Sequence, residues 1–255
     1  MLTLLLGALV AATPPPPPAE PEARVAHYVL QEFERVGRRA PQVDPALTQA
    51  ARSLARRALE DSLAGAVEGS TLTQAVSDAG GADPTPRFYL VRAGERDHAL
   101  QKILERKDLN QERATHMGVG VESQGPLTAL VVLLAERKAT LQRFPRVLDT
   151  AGTSRVLCGE FAGELRGAQV YVTLPDGRVE RPSLTREVDA SFCTRLLFTR
   201  PGEYTVEFVG RGERGPEVVA LFLVDVETPP RRGGTARVEE PTTPEAARDA
   251  VLERI

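Results

Sequence analysis

ATHMGVGVES, residues 114–123, decides how the first half of this chain is read. Met117, Val119 and Val121 alternate with Gly118, Gly120 and Glu122, the period-two pattern of a β-strand. Glycines at alternate positions leave one face of that strand almost bare, so that a backbone or a large side chain can lie flat on it. The expectation is a central strand covered by a closely packed helix. The apolar run that follows, LTALVVLLA at residues 127–135, reads as a second strand buried on both faces.

Helical patterns precede this pair. Residues 21–36 place Val25, Tyr28, Val29, Phe33 and Val36 on one face, and Gly37 supplies a stop. Asp44 is placed to cap a second helix with Pro45 at its first position. Leu47, Ala50, Ala51, Leu54, Ala58 and Leu59 form its apolar face, and the alanines suit close packing. A weaker helical stretch at 71–79 ends at Gly80-Gly81. RFYLV at 87–91 reads as a strand, and Asp97 as the cap of a helix over 98–107 with Leu100, Ile103 and Leu104 inward.

Composition bounds the functional classes. A chain of 255 residues with 42% hydrophobic content holds one large core or two ordinary ones; two are expected, because the first half reads as helices and the second as strands. Charged residues make up 26% with mixed sign and a net charge of −3, so there is no basic field to capture nucleic acid. MLTLLLGALVAA, residues 1–12, is too short to span a bilayer. It reads as a signal peptide, with an uncleaved hydrophobic anchor as the alternative. Residues 13–20 form a proline-rich spacer. A secreted or periplasmic protein is expected, not integral to the membrane once the signal is removed.

Cys158 and Cys193 are the two cysteines. In an oxidising compartment they are expected to form a disulfide, against the alternative of two buried thiols. His27, His98 and His116 fall on separate segments without ligand spacing, so neither a metal nor a cofactor is expected.

From Ser154 the pattern changes to short strands between turn signals. Val170, Val172 and Leu174 alternate with Tyr171 and Thr173 ahead of a Pro175-Asp176-Gly177-Arg178 turn. Val188, Ala190 and Phe192 alternate as a further strand, and residues 199–210 and 218–226 complete the run. PGEYTVEF, residues 201–208, resembles the penultimate strand of bacterial immunoglobulin-like modules. The expectation is an all-β immunoglobulin-like sandwich over 154–227, with Cys158 and Cys193 stapling its two sheets. No nucleophile elbow, phosphate loop or paired acids stand in this half. Residues 228–241 read as a linker. Residues 242–255 read as a helix that either docks on the sandwich or opens a further domain; its Pro-Glu-Ala start repeats that of residue 21 onward.

VDPALTQAARSLA at 43–55, a later helix, THMGVGV and the hydrophobic strand after it together resemble the bacterial SCP-like extracellular domain of the CAP superfamily. Arg106, Leu109, Ala114, Thr115 and His116 match the family's pattern. The resemblance implies an α+β fold class: an alpha-beta-alpha sandwich over residues 21–150, followed by the all-β module. Family members that are enzymes or metal binders set two histidines and two acids around a cleft. Here Glu105 stands where one of those histidines is expected, residues 62–89 hold no histidine, and PTPRFYLVRAG replaces the family's Gly-Glu-Asn segment. The implied domain is degenerate, its fold kept and its cleft chemistry lost.

His116 is then a surviving ligand or, alternatively, a side chain hydrogen-bonded at the start of its strand. Glu105 and Glu122 are cleft acids or solvated carboxylates, and His98 beside Asp97 is a helix N-terminal residue. The expected function is non-catalytic binding or scaffolding at the cell envelope, with a glycan, lipid or protein ligand. One alternative is a divergent metal-dependent hydrolase using His116, Glu105 and Glu122, which clustering of the three would favour. Another is an accessory region to a catalytic domain beyond residue 255.

Overall fold

The structure, a computed structural model, describes residues 20–60 and 68–228. The signal peptide, the helix expected at 242–255, and all but one residue each of the spacer and the linker lie outside the described residues.

Helix α1 (Pro21–Arg35) starts with proline at its first turn and ends where Gly37, at φ 71°, turns the chain back. Gly37 N–H then donates to Glu34 O and Arg38 N–H to Phe33 O, satisfying carbonyls the helix end leaves open. Val25, Val29 and Phe33 are buried, while Val36 lies past the last turn and is exposed. After strand β1 (Gln42–Val43), the Asp44 carboxylate accepts the Leu47 N–H at 2.9 Å and caps α2 (Pro45–Glu60). Helix α3 (Gly69–Asp78) closes on Gly80 at φ 82°. Strand β2 (Arg87–Ala93) leads to α4 (Arg96–Leu104), whose N-cap is Glu95; Asp97, expected as the cap, sits inside the first turn.

Strands β3 (His116–Gln124) and β4 (Leu127–Ala135) form the middle of a four-stranded sheet in the order β1-β3-β4-β2. Met117 and Val119 point to the side of α1 and α4, with Leu130, Val132 and Leu134. Ala129, Val131 and Leu133 point the other way, to α2 and α3. Gly118 and Gly120 share this second face, and the α2 backbone lies directly on them. A Cβ on Gly118 would overlap the Leu47 carbonyl carbon, and one on Gly120 the Arg52 nitrogen.

The remaining strands are β5 (Ala139–Leu141), β6 (Val147–Leu148), β7 (Thr153–Phe161), β8 (Arg166–Thr173), β9 (Val179–Glu180), β10 (Leu184–Val188), β11 (Ser191–Phe198), β12 (Gly202–Gly212) and β13 (Gly215–Val226). Sheet β10-β11-β7-β5 faces sheet β6-β13-β12-β8-β9 across a single core. Phe192 sits between Phe161 and Phe208, with ring centroids 4.8 and 5.2 Å away. Buried Tyr204 accepts the Arg200 N–H at 2.9 Å and donates to Arg200 O at 3.1 Å, locking the turn that leads into β12.

Three expectations are corrected here. Strand occupies 43% of the described residues and helix 26%. The chain is therefore mostly β, and the α+β class built on an SCP-like alpha-beta-alpha sandwich does not describe it. Two of its three sheets pack on each other without helices between them. Even within 21–150 the chain turns to strand, because β5 and β6 hydrogen-bond to β7 and β13 of the sandwich. Secondly, residues 188–192 are not one strand: the Asp189-Ala190 pair turns the chain between β10 and β11, with Asp189 at φ 53°, a conformation aspartate tolerates. Thirdly, Cys158 and Cys193 form a disulfide, but they are direct partners on adjacent strands β7 and β11, with Cα atoms 4.1 Å apart. The bond lies within one sheet and does not join the two.

Candidate functional site

The helical unit and the sandwich meet along β13. Ser77, at the end of α3, exchanges two hydrogen bonds with the Leu223 backbone, and Leu221 N–H donates to Ala82 O at 2.8 Å. Arg146 closes the joint: its guanidinium donates to the carbonyls of Ser77, Gly80 and Gly81 at the C-terminal end of α3 and lies 4.1 Å over the Phe222 ring. A cation there complements the negative end of the helix. Burial lowers its pKa to about 10, which leaves it protonated at neutral pH.

Beside this joint lies an open groove of about 940 Å³. Its walls carry Leu72 of α3, the Pro84 to Pro86 turn, Phe88 of β2, Leu134 of β4, and Val218 and Leu221 of β13. The rim holds exchangeable ion pairs: Arg87 Nε to Glu112 Oε2 at 3.1 Å, and Lys138 Nζ to Glu217 Oε2 at 2.6 Å and to Glu136 Oε2 at 3.6 Å. Partly exposed pairs of this kind contribute about 0 to 1 kcal/mol each, so breaking them to meet a ligand costs little. Tyr89, on the opposite face of β2 from Phe88 and outside the groove's walls, supports Glu112 from behind by donating to it at 3.4 Å. Burial, reinforced by the Glu112 charge, pushes the Tyr89 phenol up to about 12, so it remains a hydrogen-bond donor at neutral pH. A second hollow of about 550 Å³ shares Arg113 and Glu217 with the groove and extends it toward Leu165 and Arg214.

Behind the groove Arg137 joins three segments. It pairs with Asp83 at 2.6 Å and with Asp44, the α2 cap, at 2.8 Å. Its own N–H donates to Thr115 Oγ1 at 2.8 Å, and that oxygen lies 2.9 Å from His116 Nδ1. Burial works to raise the Asp44 pKa, but the Arg137 and Leu47 hydrogen bonds outweigh it and hold the carboxyl below its ordinary value. Burial first, then the Arg137 charge, lower the His116 pKa as well and favour the neutral imidazole.

His116 is thus tied into the start of β3 beside acids that Arg137 already engages. Glu105 follows the end of α4 and accepts Gln101 Nε2 at 2.8 Å. Glu122, six residues along β3 from His116 and hence about 20 Å away, pairs with Arg56 at 3.2 Å. The structure does not bring the three together. Among the described residues no group of three or more His, Cys, Asp or Glu side chains is arranged to hold a metal. No described helix is long and apolar enough to cross a membrane. The joint residues Ser77 and Arg146 and the Asp83–Arg137 pair escaped the reading of the sequence. The Asp-Pro pairs at 44–45 and 83–84 were its nearest signal, since each marks a turn or cap whose carboxylate needs a partner.

No protein-family profile and no curated protein matches the chain. Solved structures similar to parts of it include three remote ones. A DUF4785 family protein from Legionella pneumophila aligns at 10% identity and TM-score 0.30, over 39% of this chain and 32% of that one, so the chain spans about a third of that protein's length. CopC from Methylosinus trichosporium OB3b aligns at 12% identity and TM-score 0.27, over 34% of this chain and 89% of that one. The PmoD soluble domain from Methylocystis sp. ATCC 49242 gives 12% identity and TM-score 0.27, over 34% and 88%.

Proposed function

We propose that this protein is a non-catalytic binding or scaffolding module of the cell envelope, working in an oxidising, secreted or periplasmic setting, and that its ligand lies in the groove between the helical unit and the sandwich. The groove is the observation that carries the reading. It combines apolar patches from Leu72, Phe88 and Val218 with polar walls and rim charges that can be re-paired at little cost, which is recognition chemistry rather than bond-breaking chemistry. The Cys158–Cys193 disulfide supports the oxidising compartment. The joint behind the groove supports a rigid wall, because Arg146 and Ser77 fix α3 against β13 by directed hydrogen bonds.

The test compares the chain with a Val218→Arg variant on an array of envelope glycans, on anionic lipid vesicles and on an extended-peptide library. Val218 is 40% exposed, so arginine there fills the groove without disturbing the core. Binding to one ligand class that the variant loses supports the proposal. Binding unchanged in the variant moves the site elsewhere, and binding to none of the three classes overturns it.

A further inference from the structure

We infer that the Cys158–Cys193 disulfide is a surface site for exchange with small anionic thiols, opened and closed in the folded protein. This is independent of the groove. Both half-cystines are partly exposed, on the outer face of sheet β10-β11-β7-β5, while their neighbours Leu157 and Phe192 point inward and are buried. Strand β11 is paired with β7 along its whole length, from Ser191 opposite Glu160 to Phe198 opposite Thr153. The sulfur–sulfur bond therefore links residues that backbone pairing already holds together, and breaking it does not require the sandwich to open.

The surrounding charge gives the site a direction. Arg186 is the partner of Cys193 on β10, and Arg195 lies two residues along β11, so both share the outer face with the disulfide. Both are exposed. They attract an incoming anionic thiolate and stabilise a thiolate forming at Cys193, whereas Glu160, exposed on the same face two residues along β7 from Cys158, disfavours a thiolate there; Cys193 is the better leaving group for both reasons. The thiolate of the small molecule attacks Cys158 Sγ; a new sulfur–sulfur bond forms there, the Cys158–Cys193 bond breaks, and its electron pair leaves on Cys193 Sγ. A second small-molecule thiolate attacks the sulfur of the first in the mixed disulfide, releasing the oxidised small-molecule disulfide and the Cys158 thiolate. Two small-molecule thiols are oxidised, the protein disulfide is reduced by two electrons, and the two thiol protons end on Cys158 and Cys193.

The oxidised full chain is treated with reduced glutathione or with neutral 2-mercaptoethanol, without denaturant at about pH 8, where part of the thiol is ionised. Products are trapped with iodoacetamide and mapped by mass spectrometry. The expected result is opening first order in thiol, a glutathione mixed disulfide on Cys158, and unchanged far-ultraviolet circular dichroism after reduction. An Arg186→Ala/Arg195→Ala variant is expected to slow glutathione at least about threefold while 2-mercaptoethanol changes less, because only the former is steered. A rate independent of thiol concentration that rises with urea, a mixed disulfide on Cys193, or equal slowing of both thiols would overturn the inference.

Discussion

Ser77 Oγ accepts the Leu223 N–H at 2.8 Å and donates to the Leu223 carbonyl at 3.2 Å, in a buried setting, across 146 residues of sequence. One hydroxyl thus takes the place of a neighbouring strand on the outer edge of β13. Removing it in Ser77→Ala leaves a buried amide and a carbonyl without that partner. The expected loss is about 1 to 3 kcal/mol, read as a lower urea midpoint at unchanged m-value. Because Leu221 and Arg146 still hold the joint, the variant is expected to fold. A midpoint within error of the parent would mean that the edge is not energetically important.

Arg137 is the second joint. The Asp83 side chain is only 4% exposed, so Arg137→Leu leaves a buried carboxylate without its partner. Breaking such a pair on one side costs about 3 to 5 kcal/mol, whereas replacing both sides with apolar residues is often close to neutral. Thermal unfolding should accordingly show a larger loss for Arg137→Leu than for the Arg137→Leu/Asp83→Leu double variant. The reverse order would show that Asp83 stabilises the fold through something other than Arg137.

What could be read in the sequence followed from local rules. The alternation around Gly118 and Gly120 specified a bare strand face, and the Asp44-Pro45 pair specified a helix start, because each depends on a few neighbouring residues. The turn at Asp189-Ala190 was missed because a two-residue hairpin loop needs little more than one residue tolerant of positive φ, and apolar residues stand on both sides of it. Beyond that, β5 and β6 are three and two residues long and exist only because β7 and β13 offer them an edge. No local pattern encodes such strands. The groove was illegible for the same reason: Phe88 and Leu134 come from the paired strands β2 and β4, and Val218 of the distant β13 reaches them only through the joint that Ser77 and Arg146 make.

The titration behaviour of the Arg137 cluster gives a pH dependence of definite sign. The folded pKa of His116 lies below its ordinary 6.5, through burial and then Arg137, so the unfolded chain binds the proton more readily. Stability therefore falls as pH drops from about 6.5 through the folded value. Asp44 also has a folded pKa below its ordinary 3.8. Its contribution is complete above that value and is lost as pH falls further, through the folded pKa. Melting temperature measured against pH should decline in two stages, and His116→Gln should remove the upper one. Proton NMR of His116 should give a midpoint below 6.5 that rises in Arg137→Gln, where a neighbouring positive charge is gone. A midpoint unmoved by that substitution would place Arg137 outside the histidine's field.

The glycines of the opening strand carry the last prediction. Ala at Gly118 or Gly120 would drive a methyl group into the α2 backbone at Leu47 or Arg52, and a backbone cannot rotate out of the way as a flexible side chain can. The helix must lift from the sheet, uncovering Ala51, Leu54 and Val131 beneath it. Overpacking of this kind costs about 1 to 3 kcal/mol per site, and the two losses should not add, since one displacement of α2 relieves both overlaps. Gly94→Ala is the control: nothing lies within 4 Å of its added methyl, and a surface change of that type stays within about 0.5 kcal/mol. Chemical denaturation of the four variants, the double included, checks the pattern. Additive losses at 118 and 120 would show that the helix bends locally at each contact instead of moving as a body.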